Sequence, residues 1–305
     1  MNDITHKNPS LRTATATAAV FCSPATIDLI KDDKLPKGNL FDVARAAGLL
    51  GAKATPALIP HCHPVPIEHL DIRFELVTEN GRGKVLIQVF AKTIYKTGIE
   101  IEAVTAATIT ALTVFDLLKP VDSNLEISGV KLLEKTGGKS DRKKLSGKGH
   151  TAAILVCSDS ASQGKREDAS GKIIEAELLK HEATITEYKI IPDDIAGIQA
   201  QITAWVAAGV QFIFTTGGTG LSPRDQVVEA VTPLLEKTAD GIAEKMRQYG
   251  NERTPLAMFS RSLAGSIGQT LVVCLPGSSN GARESLDAIL PAIFHANKML
   301  RGGGH

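Results

Sequence analysis

The chain has 305 residues, 43% of them hydrophobic and 22% charged, with a formal net charge of +1. That composition excludes general disorder, and a charge this near zero excludes the broad basic field of a nonspecific nucleic-acid binder. The length exceeds what one hydrophobic core usually organises and implies two domains of roughly 150 residues. Cys22, Cys62, Cys157 and Cys274 lie far apart and form no CxxC pair, so neither a disulfide framework nor a zinc knuckle is indicated. The opening MNDITHKNPS is polar, and the apolar stretch from Ala14 to Ile30 is interrupted by threonines, Ser23, Pro24 and Asp28. Neither resembles a signal h-region or a membrane span, so a cytoplasmic protein with no membrane and no nucleic-acid partner is expected.

In chain order, Leu40, Val43, Ala47 and Leu50 recur at helical spacing. Ile72, Phe74 and Leu76 alternate, as do Val85, Ile87 and Val89 across an ENGRG turn, which predicts a hairpin. The run from Ile101 to Leu118 is long, apolar and rich in Ala and Thr, so a buried helix is expected. The first half therefore reads as α+β. TGGKSDRKKLSGKGH, Thr136 to His150, is almost devoid of apolar residues, which places a solvated linker at 139–150 between domains 1–138 and 151–305.

Beyond the linker the elements alternate: a strand near Ala152 to Val156, a helix near Gly171 to Lys180, a strand near Thr184 to Ile191, a helix near Ile195 to Ala208, and a strand at Gln211 to Thr215. This βαβαβ order predicts a three-layer α/β domain with a mostly parallel sheet and right-handed crossovers. A second apolar run, TLVVCL, precedes a turn at Pro276 and Gly277 and a helix using Leu286, Ile289, Ile293 and Leu300. No internal repeat links the halves.

In the first half, IPHCHPVP sets His61 and His63 two apart among three prolines, on one face if extended, with Cys62 on the other. Such a pair serves catalysis, metal binding or simple loop structure, and no nearby carboxylate completes a closed ligand set. In DLLKP, Asp116 and Lys119 stand at i and i+3 on one helix face, either a surface ion pair or part of a site. Lys37 lies just before a helix, where it and the N-terminal amides can together hold phosphate, although an isolated lysine there is more often merely exposed.

LRTATATA, KGNLFDVARAAGLLGAK, LIPHCHPVP, TGIEIEAVTAATITALTVFDLLK and LLEKTGGKS follow in the order and spacing of cyclic pyranopterin monophosphate synthases, which the chain resembles from about Asp3 to Ser140. The resemblance implies a ferredoxin-like fold. It further implies conversion of a cyclised GTP derivative (3',8-cyclo-7,8-dihydro-GTP) to a pyranopterin with a cyclic phosphate, releasing pyrophosphate. It assigns Lys37 and Lys119 to acid/base and phosphate-facing work, His63 to phosphate or proton transfer, and Asp116 to acid/base work beside them. Arg12 would grip phosphate, Glu100 and Glu102 would orient the purine ring or pair with the lysines, and His61 and Cys62 would border the substrate. No tightly bound cofactor is implied. Asn39 replaces the commoner aspartate of KGD, and His61 stands where the family has an apolar residue.

In the second half, FIFTTGGTGLSPRD runs from a strand into a glycine-rich turn, through which backbone amides can approach phosphate oxygens. The turn lacks the GK[ST] ending of a P-loop and can equally be a tight connection. Asp225 and Arg224 follow it, and IPDD supplies Asp193 and Asp194 at another strand end of the same sheet. Ligands of open α/β sheets bind beyond the carboxyl ends of the strands, and carboxylates facing a phosphate site usually imply Mg²⁺. Helix N-capping is the competing reading for Asp193 and Asp194. SDSASQGKREDASG and LPGSSNGARES add hydroxyls and amides at two further strand ends.

With DGIAEKMRQ and FSRSLAGSIGQTLVVCLPGS, these strings resemble the molybdopterin adenylyltransferase family from about Thr151 to Arg301. That resemblance implies attack of the terminal phosphate of molybdopterin on the α-phosphate of MgATP. Asp193 and Asp225 would be catalytic and organise Mg²⁺. Gly217, Gly218, Thr219 and Gly220 would cradle phosphate, Ser158, Asp159, Pro276, Gly277 and Ser278 would complete the pocket, and Arg224 would stabilise developing charge. A related branch of the same fold leaves a second reading open, in which this half binds pterin or assists assembly without turnover. The first family resembles trimers of dimers with sites between subunits and the second resembles trimers, so a trimer or hexamer is expected.

Overall fold

The computed structural model describes residues 1–138 and 145–303. The chain forms two compact units, Met1–Asp141 and Arg142–His305. Of the expected linker, residues 139–144 lie outside the described residues. Residues 145–150 pack onto the second unit instead of standing free: the Gly147 amide donates to the His181 carbonyl at 2.7 Å, and the His150 ring stacks on Phe212 with centroids 5.6 Å apart.

The first unit comprises β1 (Ser10–Cys22), α1 (Pro24–Lys31), α2 (Leu40–Leu58), β2 (His69–Glu79), β3 (Arg82–Tyr95), α3 (Glu100–Leu118) and β4 (Glu126–Thr136). Its sheet has the order β2-β3-β1-β4 and is antiparallel throughout. The hairpin turns at Asn80 and Gly81, both left-handed with φ of 50° and 72°, the geometry a two-residue turn between twisted strands demands. The sequence reading assigned no strand to the central β1. Its Thr/Ala alternation lacks large β-branched side chains, because Ala14, Ala16 and Ala18 lie buried in the core that α3 covers.

Small residues also decide how α2 meets α3. Leu40, Val43, Ala47 and Leu50 were expected to line one face, yet Val43 and Leu50 are 44% and 67% exposed. The buried face instead runs through Leu40, Ala44, Gly48, Gly51, Ala52 and Thr55. At Gly48 and Gly51 the two helices approach so closely that even a Cβ would collide with Thr110 and Ile109, so size overrides hydrophobicity in choosing the inward side. By length and composition α3 is apolar enough to cross a membrane, but here it is the core helix, with Ala103, Ala106, Ala107, Ala111 and Val114 fully buried.

The second unit comprises β5 (Thr151–Cys157), α4 (Asp159–Ser162), α5 (Ser170–Lys180), β6 (Thr184–Ile191), α6 (Ile195–Ala207), β7 (Phe212–Thr216), α7 (Val227–Val231), β8 (Lys237–Thr238), α8 (Asp240–Asn251), β9 (Leu263–Ile267), β10 (Thr270–Leu275), α9 (Ser279–Ile289) and α10 (Ala296–Leu300). The sheet order is β6-β5-β7-β10-β9-β8. β6, β5, β7 and β10 are parallel, whereas β9 runs antiparallel to both β10 and β8, which makes the sheet mixed. One face packs on α5, α8 and α9, the other on α6 and α7. The single helix expected from Leu286 to Leu300 is broken: α9 ends at Ile289, Leu290 is extended before Pro291, and a 3-10 turn at Ala292–His295 leads into α10. Proline disfavours helical geometry in the residue before it.

A Cβ at Gly51 would stand 2.8 and 2.9 Å from Cγ1 and Cβ of Ile109, a β-branched side chain that a helix leaves little freedom to rotate. Gly51→Ala should therefore destabilise the first unit by about 1–3 kcal/mol, overriding alanine's helix-propensity gain of roughly 1 kcal/mol. Calorimetry that found the first unit's transition unchanged or raised would contradict this packing.

Candidate functional site

In the second unit the chain leaves β5 for β6 on one side of the sheet and returns to β7 on the other. A crevice forms at the carboxyl ends where strand order reverses. Four strand-end loops meet there around a cleft of about 460 Å³, lined by Ser158, Asp159, Asp193, Gly217, Gly218, Arg224, Asp225, Gly277 and Ser278 among others. Gly217 and Gly218 have φ of 98° and 58°, and a Cβ on Gly217 would collide with the Cys157 carbonyl oxygen. Gly277 packs from the other side, where a Cβ would lie 3.0 Å from the Gly217 Cα. Glycine is required because backbone meets backbone.

Asp193 lines this cleft. Its Oδ1 accepts the Gln226 amide at 3.4 Å, and its own amide donates to Asp159 Oδ1 at 3.2 Å. Burial, reinforced by the charges of Asp225 and Asp159 and opposed by the Gln226 amide, pushes its carboxyl up to about 6. Asp225 accepts the Ser222 amide at 2.7 Å. Asp194, by contrast, is the N-cap of α6, accepting from the Gly197 amide at 3.0 Å. Among the described residues no cluster of three or more His, Cys, Asp or Glu closes a metal site. The carboxylates of Asp193 and Asp225 are oxygen donors of the kind Mg²⁺ takes alongside water and phosphate oxygens.

Two residues expected in the phosphate cradle, Thr219 and Gly220, and one expected to complete the pocket, Pro276, are not among those lining the cleft. Thr219 is buried, with 4% of its surface exposed, and its carbonyl accepts the Arg261 amide. The Gly220 carbonyl accepts from Arg261 Nε at 2.7 Å. Pro276 borders a neighbouring cavity of about 430 Å³, with Arg247, Ser262, Glu284 and the shared Ser278. Thr219 and Gly220 thus serve to fix the loop through their carbonyls, and after the two left-handed glycines the chain buries Thr219 before it emerges at Leu221. Sequence reasoning missed Arg261, although it lies inside the quoted FSRS string, because no local pattern links it to a loop some 40 positions away. It also missed Asp168, a cleft residue that accepts from the Tyr188 hydroxyl, the Gly171 amide and Ser170 Oγ.

In the first unit the expected residues form two groups at opposite ends of α3. At its C-terminal end, Lys37 Nζ donates to the Asp116 carboxylate and carbonyl, each at 2.9 Å, and Lys119 Nζ lies 2.6 Å from Asp116 Oδ1. Hydrogen bonds from Lys119 and Lys37 hold the Asp116 carboxyl below its ordinary range. At the N-terminal end, Glu102 is 1% exposed, Cys62 Sγ donates to its Oε1 at 3.4 Å, and its buried Oε2 has no partner. Burial pushes Glu102 above the usual carboxylate range and, with Glu102 adding to it, raises the Cys62 thiol to about 11. His63 Nε2 lies 2.9 Å from the Asn2 carbonyl, Glu100 pairs with Lys135 at 3.1 Å, Arg12 Nε donates to the Tyr95 carbonyl, and His61 is exposed. Fourteen residues separate Glu102 from Asp116, a rise of about 21 Å along the helix, so one copy of the chain does not bring the two groups together.

The chain matches the MoaC family over residues 1–138 and a family described as probable molybdopterin binding domain over residues 153–295. It is 40% identical to a molybdenum cofactor biosynthesis bifunctional protein of Chlorobaculum tepidum, covering 100% of this chain and 96% of that protein. A protein of the same name from Synechococcus elongatus is 36% identical, with 100% and 98% covered. A cyclic pyranopterin monophosphate synthase of Syntrophomonas wolfei is 44% identical over 140 residues, 46% of this chain and 88% of that one. Among solved structures, the molybdopterin biosynthesis enzyme MoaB of Thermus thermophilus aligns at a TM-score of 0.48 with 40% identity, covering 50% of this chain and 97% of that chain.

Asp193 binds its proton more tightly folded than unfolded, so between its ordinary value of 3.8 and about 6 the folded protein holds more protons and stability falls as pH rises. Asp193→Asn keeps an oxygen for the Gln226 amide and removes that penalty. The second unit of this variant should melt about 2–4 °C above wild type at pH 7.5, a difference that closes near pH 4. An equal or lower melting temperature at pH 7.5 would contradict the electrostatic account.

Proposed function

Because the chain belongs to the family of molybdenum cofactor biosynthesis bifunctional proteins, joining a MoaC domain to a probable molybdopterin binding domain, we propose that it catalyses two separate steps of that synthesis. The first unit converts 3',8-cyclo-7,8-dihydro-GTP to cyclic pyranopterin monophosphate with release of pyrophosphate. The second transfers AMP from MgATP to molybdopterin. A sulfur-insertion step must intervene, so neither site consumes the other's product directly.

In the first unit Lys37 and Lys119 offset phosphate charge and exchange protons, with Asp116 kept ionised between them. Glu102, whose carboxyl burial raises above the usual carboxylate range, is suited to exchange a proton where the pterin ring forms, beside His63, Glu100 and Arg12. Since these groups stand about 21 Å apart on one helix, the reading requires that a second copy of the chain complete each site. The exposed Leu50, Leu58 and Leu112 support such association, as does the resemblance to a trimer of dimers. The strand order β2-β3-β1-β4, with α2 and α3 as crossovers, supports a ferredoxin-like reading of this unit.

In the second unit the observation that carries the reading is the convergence of four strand-end loops on one cleft. Amides at Gly217 and Gly218 face the phosphates, Arg224 offsets the charge that develops as pyrophosphate leaves, and Ser158, Gly277 and Ser278 border the nucleotide. Asp193 and Asp225 would hold the magnesium that accompanies ATP, which supplies charge neutralisation on the phosphate oxygens. Four free cysteines support a reducing, cytoplasmic setting.

The protein should yield cyclic pyranopterin monophosphate from the cyclised GTP precursor and adenylylated molybdopterin from molybdopterin with MgATP, both identified by mass spectrometry. Asp225→Asn should lower adenylylation about a hundredfold or more and spare pyranopterin formation, and Lys119→Ala should do the reverse. Binding of molybdopterin without any adenylylated product would favour a non-catalytic pterin-binding module instead. Light scattering should give a trimer or hexamer, and an active monomer would overturn the shared-site reading.

A further inference from the structure

Arg261 precedes β9, far along the chain from the glycine-rich loop, yet its polar contacts are all made with that loop and the helix after it. Nε donates to the Gly220 carbonyl at 2.7 Å, Nη2 donates to the Asp225 carbonyl at 2.9 Å, and the backbone amide donates to the Thr219 carbonyl at 3.0 Å. Nη1 and Nη2 both reach the carboxylate of Glu229 on α7, which fixes the plane of the guanidinium. Three carbonyls of one segment are thereby turned toward a single residue. A further contact follows from the planarity of the peptide bond. The Asp225 carbonyl that Arg261 holds shares its peptide with the Gln226 amide, which points the other way and donates to Asp193 Oδ1 at 3.4 Å.

We propose that Arg261 is a positioning residue for both cleft aspartates, orienting Asp225 through its own carbonyl and Asp193 through the opposite end of the same peptide. It touches neither substrate nor the reacting atoms, and it does not line the cleft. Without it the Gly220 and Asp225 carbonyls lose their partner, and glycines at 217, 218 and 220 leave the loop free to rotate those peptides. Rotation would aim carbonyl oxygens at the phosphates and withdraw the Gln226 amide from Asp193. The effect should fall on capture of the magnesium–nucleotide complex and leave pterin recognition in place. Lysine carries one point-like donor group in place of the planar fork, so it should restore only part of the effect.

The inference rests on the adenylyl-transfer reading, and the test separates the two. Wild type, Arg261→Gln and Arg261→Lys, each as the full chain, would be compared by calorimetric binding of MgATP and by steady-state adenylylation with both substrates varied. Arg261→Gln should weaken MgATP binding about tenfold or more and raise its KM correspondingly, with the KM for molybdopterin within about twofold of wild type. Arg261→Lys should fall between the two. Pyranopterin formation and the melting temperature of each variant report whether the chain folds. Unchanged MgATP binding in a folded Arg261→Gln protein would overturn the proposal, and so would an equal loss toward both substrates. A wild-type chain that binds MgATP but makes no product would refute adenylyl transfer while leaving the calorimetric comparison decisive for Arg261. One that does not bind MgATP would overturn both.

Discussion

The second site depends on the contact between Gly217 and the carbonyl end of β5. The loop after β7 can pass over the sheet only where no Cβ intervenes, and a left-handed φ at both Gly217 and Gly218 sends the chain back across the crevice. This one close approach places Asp225 opposite Asp193, whose loop is fixed independently by Asp194 capping α6. Asp193 is in turn too enclosed to ionise at its ordinary pH. Burial and the neighbouring charges of Asp225 and Asp159 thus disfavour the ionised form of Asp193 in the folded chain.

In the first unit the corresponding constraint is the length of α3. A helix with small residues on its inward side lets the sheet and α2 come near, and this close packing needs a long rigid rod. The rod's two ends offer different surroundings: lysines hold the Asp116 carboxyl below its ordinary range, and burial raises that of Glu102. Two residues of one chemical type are thus pushed in opposite directions by their surroundings.

Periodicity made the hairpin, the parallel strands and their alternating helices legible in the sequence, because each of those elements is half-buried or fully buried with large side chains. It failed at β1 and on the inward face of α2, where alanine and glycine are selected for closeness and carry little hydrophobic signal. The broken helix before Pro291 was signalled by the proline itself and missed in favour of the apolar spacing. Contiguous strings such as IPDD and TTGGTG pointed to Asp193, Gly217 and Gly218, which line the cleft, but equally to Thr219 and Gly220, which do not. Arg261 and the Tyr188–Asp168 pair were not legible, since their importance lies in contacts between segments remote in sequence.

The distance between the two ends of α3 also bears on inheritance. If each reaction centre draws its lysines from one chain and its buried glutamate from another, a chain defective at Lys37 and a chain defective at Glu102 are not equivalent losses. Co-assembled, the two would rebuild some intact centres from their undamaged halves. Two alleles that each abolish the first activity alone could then restore part of it in the same cell, a form of complementation closed to alleles altered at the same end of the helix.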